Sequence, residues 1–565
     1  MANFALDILD DTLSQSSGLS LEDIESGFVV LLDCLIHCGD LQSRVLKAIA
    51  RIGRLVPAIF GRYIGILTKQ VMCVLKGSCE PMTQNACFRV LVVMFRSDDN
   101  LMPSSECCSL IIRLTMSQLL HSLISKSNVA ILRVLMGKRI AILQLYEVVE
   151  KLIDLNVTGA DVRVRASCSK LIVQFMLTYP LGERKFQHLV DTMLPNLAYA
   201  SAHGRLSILA TISALVTKLP IEALQRQAKI LLLTFLTRLS SDTDRTCRQL
   251  CIHSAVILIK RTSSESGTLL AILQRLFSVG NDALTQSAMQ VLRVCLLEVP
   301  RAIDTYREIQ GSLVIALDNY SRQVACEYKW SGLYSTLLLF ETALVFDTSL
   351  ADDIDDGYMS SILLKLLQYP HFWVQLSVSR VISLYLTGRH AGDAGERLSA
   401  RSPHYLKTLI VSHIGILEYV ARTKMAEQSM KLCGAIFKNI ITASSILLHG
   451  NSKCVLQQHL RQEKYFEGCT ILKYLKRFSQ SKDELLQEIA LRLVAGLAGP
   501  LKDCVESNED VLGIFVDICS SDLYRNRGTQ KLAGEVAKCI STYVSSTKWA
   551  LAVSQSKGRN CASGS

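Results

Sequence analysis

Apolar residues recur along the chain at steps of three and four, in blocks of about 15 residues separated by short polar turns. One block, Asp40–Leu55, places Val45, Ala48, Ile49 and Ile52 on a single helical face. The pattern returns at Gln84–Phe95 with Phe88, Leu91, Val92 and Phe95, and at Asp161–Leu177 with Val164, Cys168, Leu171, Ile172 and Phe175. Further copies are His203–Leu219 around Leu206, Asp242–Lys260 around Cys247 and Asn281–Leu297 around Ala288. Each opens on a polar or acidic turn, followed by arginine or another polar residue. The anchors Val164, Leu206, Cys247 and Ala288 stand 42, 41 and 41 residues apart, and Val45 and Phe88 stand 43 apart. A second helical pattern fills the interval each time, as at Gly182–Tyr199 and Ile221–Leu239.

A period of about 40 residues built from two helices is that of HEAT and armadillo repeats. Each pair carries apolar faces on both sides and cannot bury them alone, so neighbours must stack. The pattern therefore predicts an all-α, HEAT/armadillo-like α-solenoid of roughly a dozen antiparallel helix pairs. The junctions Tyr179-Pro180, Leu219-Pro220, Val299-Pro300 and Tyr369-Pro370 each close one helical pattern, because proline cannot continue a helix and its predecessor is pushed from helical angles. Irregular stretches are expected at Thr262–Gly267, Gly388–Ser402 and His449–Glu463. The resulting organisation is a frayed N-terminus at 1–18, solenoid at 19–388, a candidate hinge loop at 389–402, solenoid at 403–547 and a disordered tail at 548–565.

Composition fits stacked aliphatic helices. Hydrophobic residues make up 49% of the chain, aromatics 6%, and prolines number ten. The apolar runs stop well short of the roughly 18 residues a membrane-spanning helix needs, and Met1–Asp11 has no basic segment of a secretory leader. Nineteen cysteines lie scattered on apolar stripes, where a reduced thiol packs as a small hydrophobe. A soluble intracellular protein is expected.

Candidate chemistry is sparse. There is no phosphate-binding glycine loop, dinucleotide fingerprint or nucleophile elbow. Cys34, His37 and Cys38, or Cys247, Cys251 and His253, resemble half a metal site, yet neither has a second half nearby. Core packing explains them, and adjacent Cys107 and Cys108 point about 100° apart on a helix. No metal, cofactor, small-molecule substrate or catalysis is expected. The tryptophans Trp330, Trp373 and Trp549 stand too far apart in the chain to suggest a stacking platform.

Charge is more informative. The chain is net +11, with 61 basic and 50 acidic residues. Arg44, Lys47, Arg51 and Arg54 form one stripe, centred roughly 130° round the helix from Val45, Ala48, Ile49 and Ile52. Like charges on one face repel by about a few tenths of a kcal/mol per pair, which an anionic partner would offset. A second stripe is Lys473, Lys476, Arg477 and Gln480, continued by Lys482; Arg163 with Arg165, and Arg245 with Arg248, are weaker ones. Each reads either as a solvated face or as RNA-phosphate contacts.

Two stretches carry a resemblance. Tyr179-Pro180-Leu181-Gly182 precedes charged residues and a helix ending in Leu197 and Tyr199; Gly204-Arg205-Leu206-Ser207 then opens the next helix. Further on, Tyr369-Pro370-His371-Phe372-Trp373-Val374 precedes an aliphatic helix. In order and spacing these resemble the C-terminal region of the small-subunit processome component 20 family, also called the down-regulated-in-metastasis family. That resemblance implies a C-terminal portion, or a shortened or split form, of a giant helical-repeat protein. It further implies a non-catalytic scaffold in small ribosomal subunit biogenesis, in the nucleus and nucleolus. Its partners would be processome proteins and pre-ribosomal RNA, with no membrane involved. The family's lysine-rich tail has no counterpart after Lys557-Gly558-Arg559. A karyopherin-like or coat-like transport adaptor is the alternative expectation for such a solenoid.

Overall fold

The computed structural model describes residues 20–562 except 38–40, 78–79, 98–100, 121–124, 141, 263–265, 278–281, 323–329, 348–349, 351–355, 388–402, 424–427, 450–469, 482–483, 500–508 and 521–523. Every regular element among the described residues is helical. Two compact units divide at Leu269 and Leu270, whereas the sequence pattern suggested a division at 389–402, a segment outside the described residues. Most of the irregular stretch expected after His449 lies outside them too.

The first unit opens with α1 (Leu21–His37), α2 (Gln42–Leu55), a short α3 (Pro57–Arg62) and α4 (Ile64–Gly77). It continues through α5 (Pro81–Ser97), α6 (Ser105–Leu120), α7 (Lys126–Gly137) and α8 (Gln144–Thr158). Then come α9 (Val162–Thr178), α10 (Glu183–Met193), α11 (Ala202–Lys218), α12 (Ile221–Ser241) and α13 (Arg245–Arg261). Helix α14 (Ser266–Leu276) spans the division.

The second unit holds α15 (Asp282–Glu298), α16 (Ala302–Arg322), α17 (Trp330–Phe346), α18 (Asp356–Leu367) and α19 (Phe372–Thr387). After these follow α20 (Pro403–Thr423), α21 (Gln428–His449), α22 (Thr470–Ser479) and α23 (Glu484–Ala498). It ends with α24 (Glu509–Ile518), α25 (Arg527–Ser541) and α26 (Ser546–Ala562).

Within each unit the helices form two rows. In the first, α2, α5, α7, α9, α11 and α13 pack each on the next as a ladder row. The flank row contains α1, α4, α6, α8, α10 and α12, with α6 against α8 and α8 against α10. In the second unit α15, α17, α19, α21, α23 and α25 make the ladder row. There α16, α18, α20, α22, α24 and α26 pack in sequence as the flank row. This is the α-solenoid pattern, in which each pair completes its neighbour's core. Ladder residues such as Leu46, Ile49, Phe88, Leu91, Ile131 and Leu132 are wholly buried, each contributing about 1.5–3 kcal/mol.

A recurring hydrogen bond fixes the entry into the ladder helices. The fourth residue of the helix reaches back to a turn carbonyl six residues earlier. Arg165 Nη1 donates to the carbonyl of Gly159 at 2.6 Å and of Ala160 at 3.0 Å. Arg205 Nη1 donates to Tyr199 at 2.9 Å and Ala200 at 2.8 Å, and Arg248 to Asp242 at 3.3 Å. Gln487 and Gln530 repeat it on Ser481 and Tyr524, both at 2.8 Å. Buried turn carbonyls need partners, which explains the polar residue after each turn. Asp161, Asp244 and Asn526 cap the same helices by accepting from Arg163, Cys247 and Gly528 backbone N–H groups.

Two local expectations change. Gly182–Tyr199 is not one helix: Pro195 has no N–H to donate, so α10 stops at Met193 and Leu194–Ala198 tightens into a 3₁₀ turn. The tail expected at 548–565 is instead helix α26 through Ala562. It packs on α24, buries Ala552, and Ser556 Oγ donates to Asp517 Oδ1 at 2.6 Å. No helix among the described residues is long and apolar enough to cross a membrane.

Candidate nucleic-acid interface

Helix α2 is buried on most of its circumference. Val45, Leu46, Ala48, Ile49, Ala50, Ile52 and Gly53 are all covered by α1, α3 and α5. A Cβ at Gly53 would lie 2.6 Å from the Phe60 ring, so glycine admits α3 at this point. The uncovered strip is Arg44, Lys47, Arg51 and Arg54. Lys47 and Arg54 are exposed, whereas Arg44 and Arg51 are half-buried and engaged in contacts. Arg54 Nε donates to the Ala50 carbonyl at 3.1 Å, and its position in the last turn also suits the helix dipole.

The other stripe lies in the second unit. Lys476 and Arg477 are exposed in the last turn of α22. Lys473 belongs to the same helix with its side chain outside the described part, and Lys482 lies outside the described residues. The weaker pairs are corrected in part: Arg165 and Arg248 hold turn carbonyls, so their guanidinium groups serve the repeat.

The buried thiols serve as packing. Burial pushes Cys87, Cys168, Cys251, Cys295 and Cys519 up to about 12, so they stay protonated. Cys247 and Cys251 are buried while His253 is exposed, which separates the ligands of that sequence cluster. Among the described residues no group of three or more His, Cys, Asp or Glu side chains is placed to hold a metal.

The structure assembles an aromatic cluster that chain separation concealed. Because α17 packs on α19, Trp330 stacks on His371 with ring centroids 3.9 Å apart, and Tyr334 lies 6.3 Å from Trp373. Trp330 and Trp373 are therefore neighbours, whereas Trp549 sits on α26. The signal was the spacing of 41 to 43 residues between Trp330, His371 and Trp373, which is one repeat.

The residues bearing the family resemblance have structural work. Tyr179 Oη donates to the Ile140 carbonyl at 2.7 Å and accepts from the Ile142 N–H at 2.8 Å. Its ring stacks on Phe175 at 4.4 Å. A Cβ on Gly204 would meet the Val157 carbonyl at 2.6 Å, so glycine lets α11 approach α8. Ser207 Oγ accepts from Asn156 Nδ2 at 3.0 Å. Tyr179→Phe should leave both backbone groups of that loop unpaired, lowering stability by about 1–3 kcal/mol. An unchanged midpoint in thermal unfolding would refute that role for the hydroxyl.

No family model matches the chain. It is 21% identical over 266 residues to U3 small nucleolar RNA-associated protein 20 of Schizosaccharomyces pombe, covering 45% of this chain and 10% of that protein. The Saccharomyces cerevisiae protein of the same name is 22% identical over 264 residues, covering 44% and 10%. The chain thus has distant homology to these proteins and matches about a tenth of their length. Among solved structures, the karyopherin Kap121p bound to the SUMO protease Ulp1p is 13% identical, covering 94% of this chain and 59% of that one, with a TM-score of 0.33. Importin beta is 12% identical, covering 92% and 75%, with a TM-score of 0.32.

Proposed function

We propose that the chain is a non-catalytic scaffold in small ribosomal subunit biogenesis, working in the nucleus and nucleolus as part of the small-subunit processome. Processome proteins and pre-ribosomal RNA are its partners. The observation that carries this reading is the homology to two U3 small nucleolar RNA-associated proteins over 44–45% of the chain. It is joined by motif residues, Tyr179 and Gly204 among them, that are built into the repeats. Arg44, Lys47, Arg51 and Arg54 on α2, with Lys476 and Arg477 on α22, are the proposed phosphate contacts; Lys473 and Lys482 extend the second set in sequence. Such contacts position RNA without reading its bases.

Affinity purification of the tagged chain from nuclear extract, followed by sequencing of bound RNA, tests the reading. Precursors of the small-subunit RNA and U3 RNA should be enriched over mature ribosomal RNA. Recovery of a small GTPase and cargo proteins without those RNAs would favour a transport adaptor and sink the proposal.

A further inference from the structure

The first unit segregates charge by row. Its six ladder helices hold seventeen lysines and arginines and not one aspartate or glutamate. With 50 acidic residues in 565, a stretch of that length would be expected to hold about eight. The six flank helices of the same unit carry eleven acidic and nine basic residues. Nor is this a property of ladder helices in general: those of the second unit hold six acidic and eight basic residues.

Several of the seventeen serve the fold, as Arg165, Arg205, Arg248 and Arg261 do through turn or helix-end carbonyls. Another set faces outward. Lys47, Arg89, Arg96, Lys126, Arg133 and Lys170 are exposed and are not ion-paired within the described residues. Helix α2 packs on α5, and cross-helix hydrogen bonds set the cations of α5, α7 and α9 side by side. Arg89 Nε donates to Ser127 Oγ at 3.1 Å, beside Lys126, and Gln174, one turn beyond Lys170, donates to the Arg133 carbonyl at 3.0 Å. Packed helices lie about 8–10 Å apart, close to the Debye length of about 8 Å at physiological ionic strength. The potentials of successive helices therefore add into one positive band.

Resting on the reading of the chain as an RNA scaffold, we propose that the outward edge of α2, α5, α7 and α9 is a track for an RNA phosphate backbone. An acidic protein segment fits less well, because peptide docking relies on aromatic or apolar anchors. Leu55, Met82 and Val162, near helix ends, are the large exposed hydrophobics of α2, α5, α7 and α9, and none is aromatic. Between the cations lie side chains such as Asn85, Ala130, Ala166 and Gln174. A polyanion needs the charges alone.

The test compares the full 565-residue chain with Arg96→Glu/Arg133→Glu/Lys170→Glu and a flank-row control, Lys69→Glu/Arg113→Glu/Lys229→Glu. Binding to a generic RNA duplex is titrated at several salt concentrations. The ladder variant should bind at least tenfold more weakly, and its slope of log affinity against log salt should shallow by about 2–3. The control should keep most of the parent's affinity. Equal losses in both, or an unchanged slope in the ladder variant, overturn the track. So does an acidic peptide of equal charge that displaces RNA and loses its own binding to the same variant. Should the glutamate variant not fold, Arg96→Gln/Arg133→Gln/Lys170→Gln reads the same contacts, and an unchanged slope there overturns the track equally. RNA binding through this edge, together with no ribosomal precursor RNA bound in extract, would uphold the track and fail the ribosome-assembly reading.

Discussion

Arg205→Ala should destabilise the first unit by about 3–5 kcal/mol at neutral pH, because it strands a buried carboxylate. Arg205 donates from Nε and Nη2 to the two oxygens of Asp242 at 2.8 and 2.9 Å, and from Nη1 to the Tyr199 and Ala200 carbonyls. The side chains are 13% and 3% exposed. Burial opposes the ionised carboxyl, but the Arg205 hydrogen bonds and charge, with the Asp244 N–H, together hold Asp242 below the usual carboxylate range. In the parent its contribution is present above about pH 4 and is lost as pH falls below that. In the variant burial loses its main opponent, so the folded carboxyl binds a proton more readily than the unfolded one. The deficit should narrow as pH drops from 7 toward 4. Urea unfolding with hydrogen exchange on α11–α13 measures both effects. A loss under about 1 kcal/mol, or a deficit constant with pH, would show that the pair does not act as a buried bidentate clamp.

The second unit should weaken on mild acidification through one buried residue. His413 on α20 is wholly buried; its Nδ1 faces the Leu409 carbonyl at 2.9 Å and its Nε2 faces Asn439 Nδ2 at 3.1 Å. Asn439 on α21 donates in turn to the Ser379 carbonyl on α19 at 2.7 Å. The carbonyl requires the ring proton on Nδ1, which leaves Nε2 to accept from Asn439, so the neutral form pairs both ring nitrogens. Burial lowers its pKa from 6.5 to about 4, against a smaller opposing effect of the Leu409 carbonyl. Stability is then fully present above pH 6.5 and is lost progressively down to about pH 4, as the unfolded chain takes a proton that the folded one refuses. The gap converts to about 3 kcal/mol. His413→Gln should flatten this part of the pH profile. If parent and variant lose stability in parallel between pH 7 and 4, His413 is not the group responsible.

Much of the fold was legible because a solenoid repeats its solution. The heptad-like apolar steps around Val45, Phe88 and Cys168 announced helices, and the 41-to-43-residue spacing announced their pairing. Arginine after each turn was visible as a pattern, but its task as a carbonyl partner was not, since a hydrogen bond six residues back depends on the turn's path. The α2 stripe was likewise visible, for it lies on one helix. The wider basic row was not, because its members come one or two to a helix and only the packing of α2, α5, α7 and α9 sets them side by side.

The order of apolar and polar residues by itself determined that this chain forms stacked helix pairs, because burial at helical spacing is a local code written on each segment. Which helices share a row is a question of packing between segments, answered by surfaces some 40 residues apart. That step alone brought Trp330 to His371 and Arg205 to Asp242, and it gathered the acid-free helices of the first unit into one edge. Charge and hydrogen-bond partners act across space, so their consequences waited on the tertiary structure.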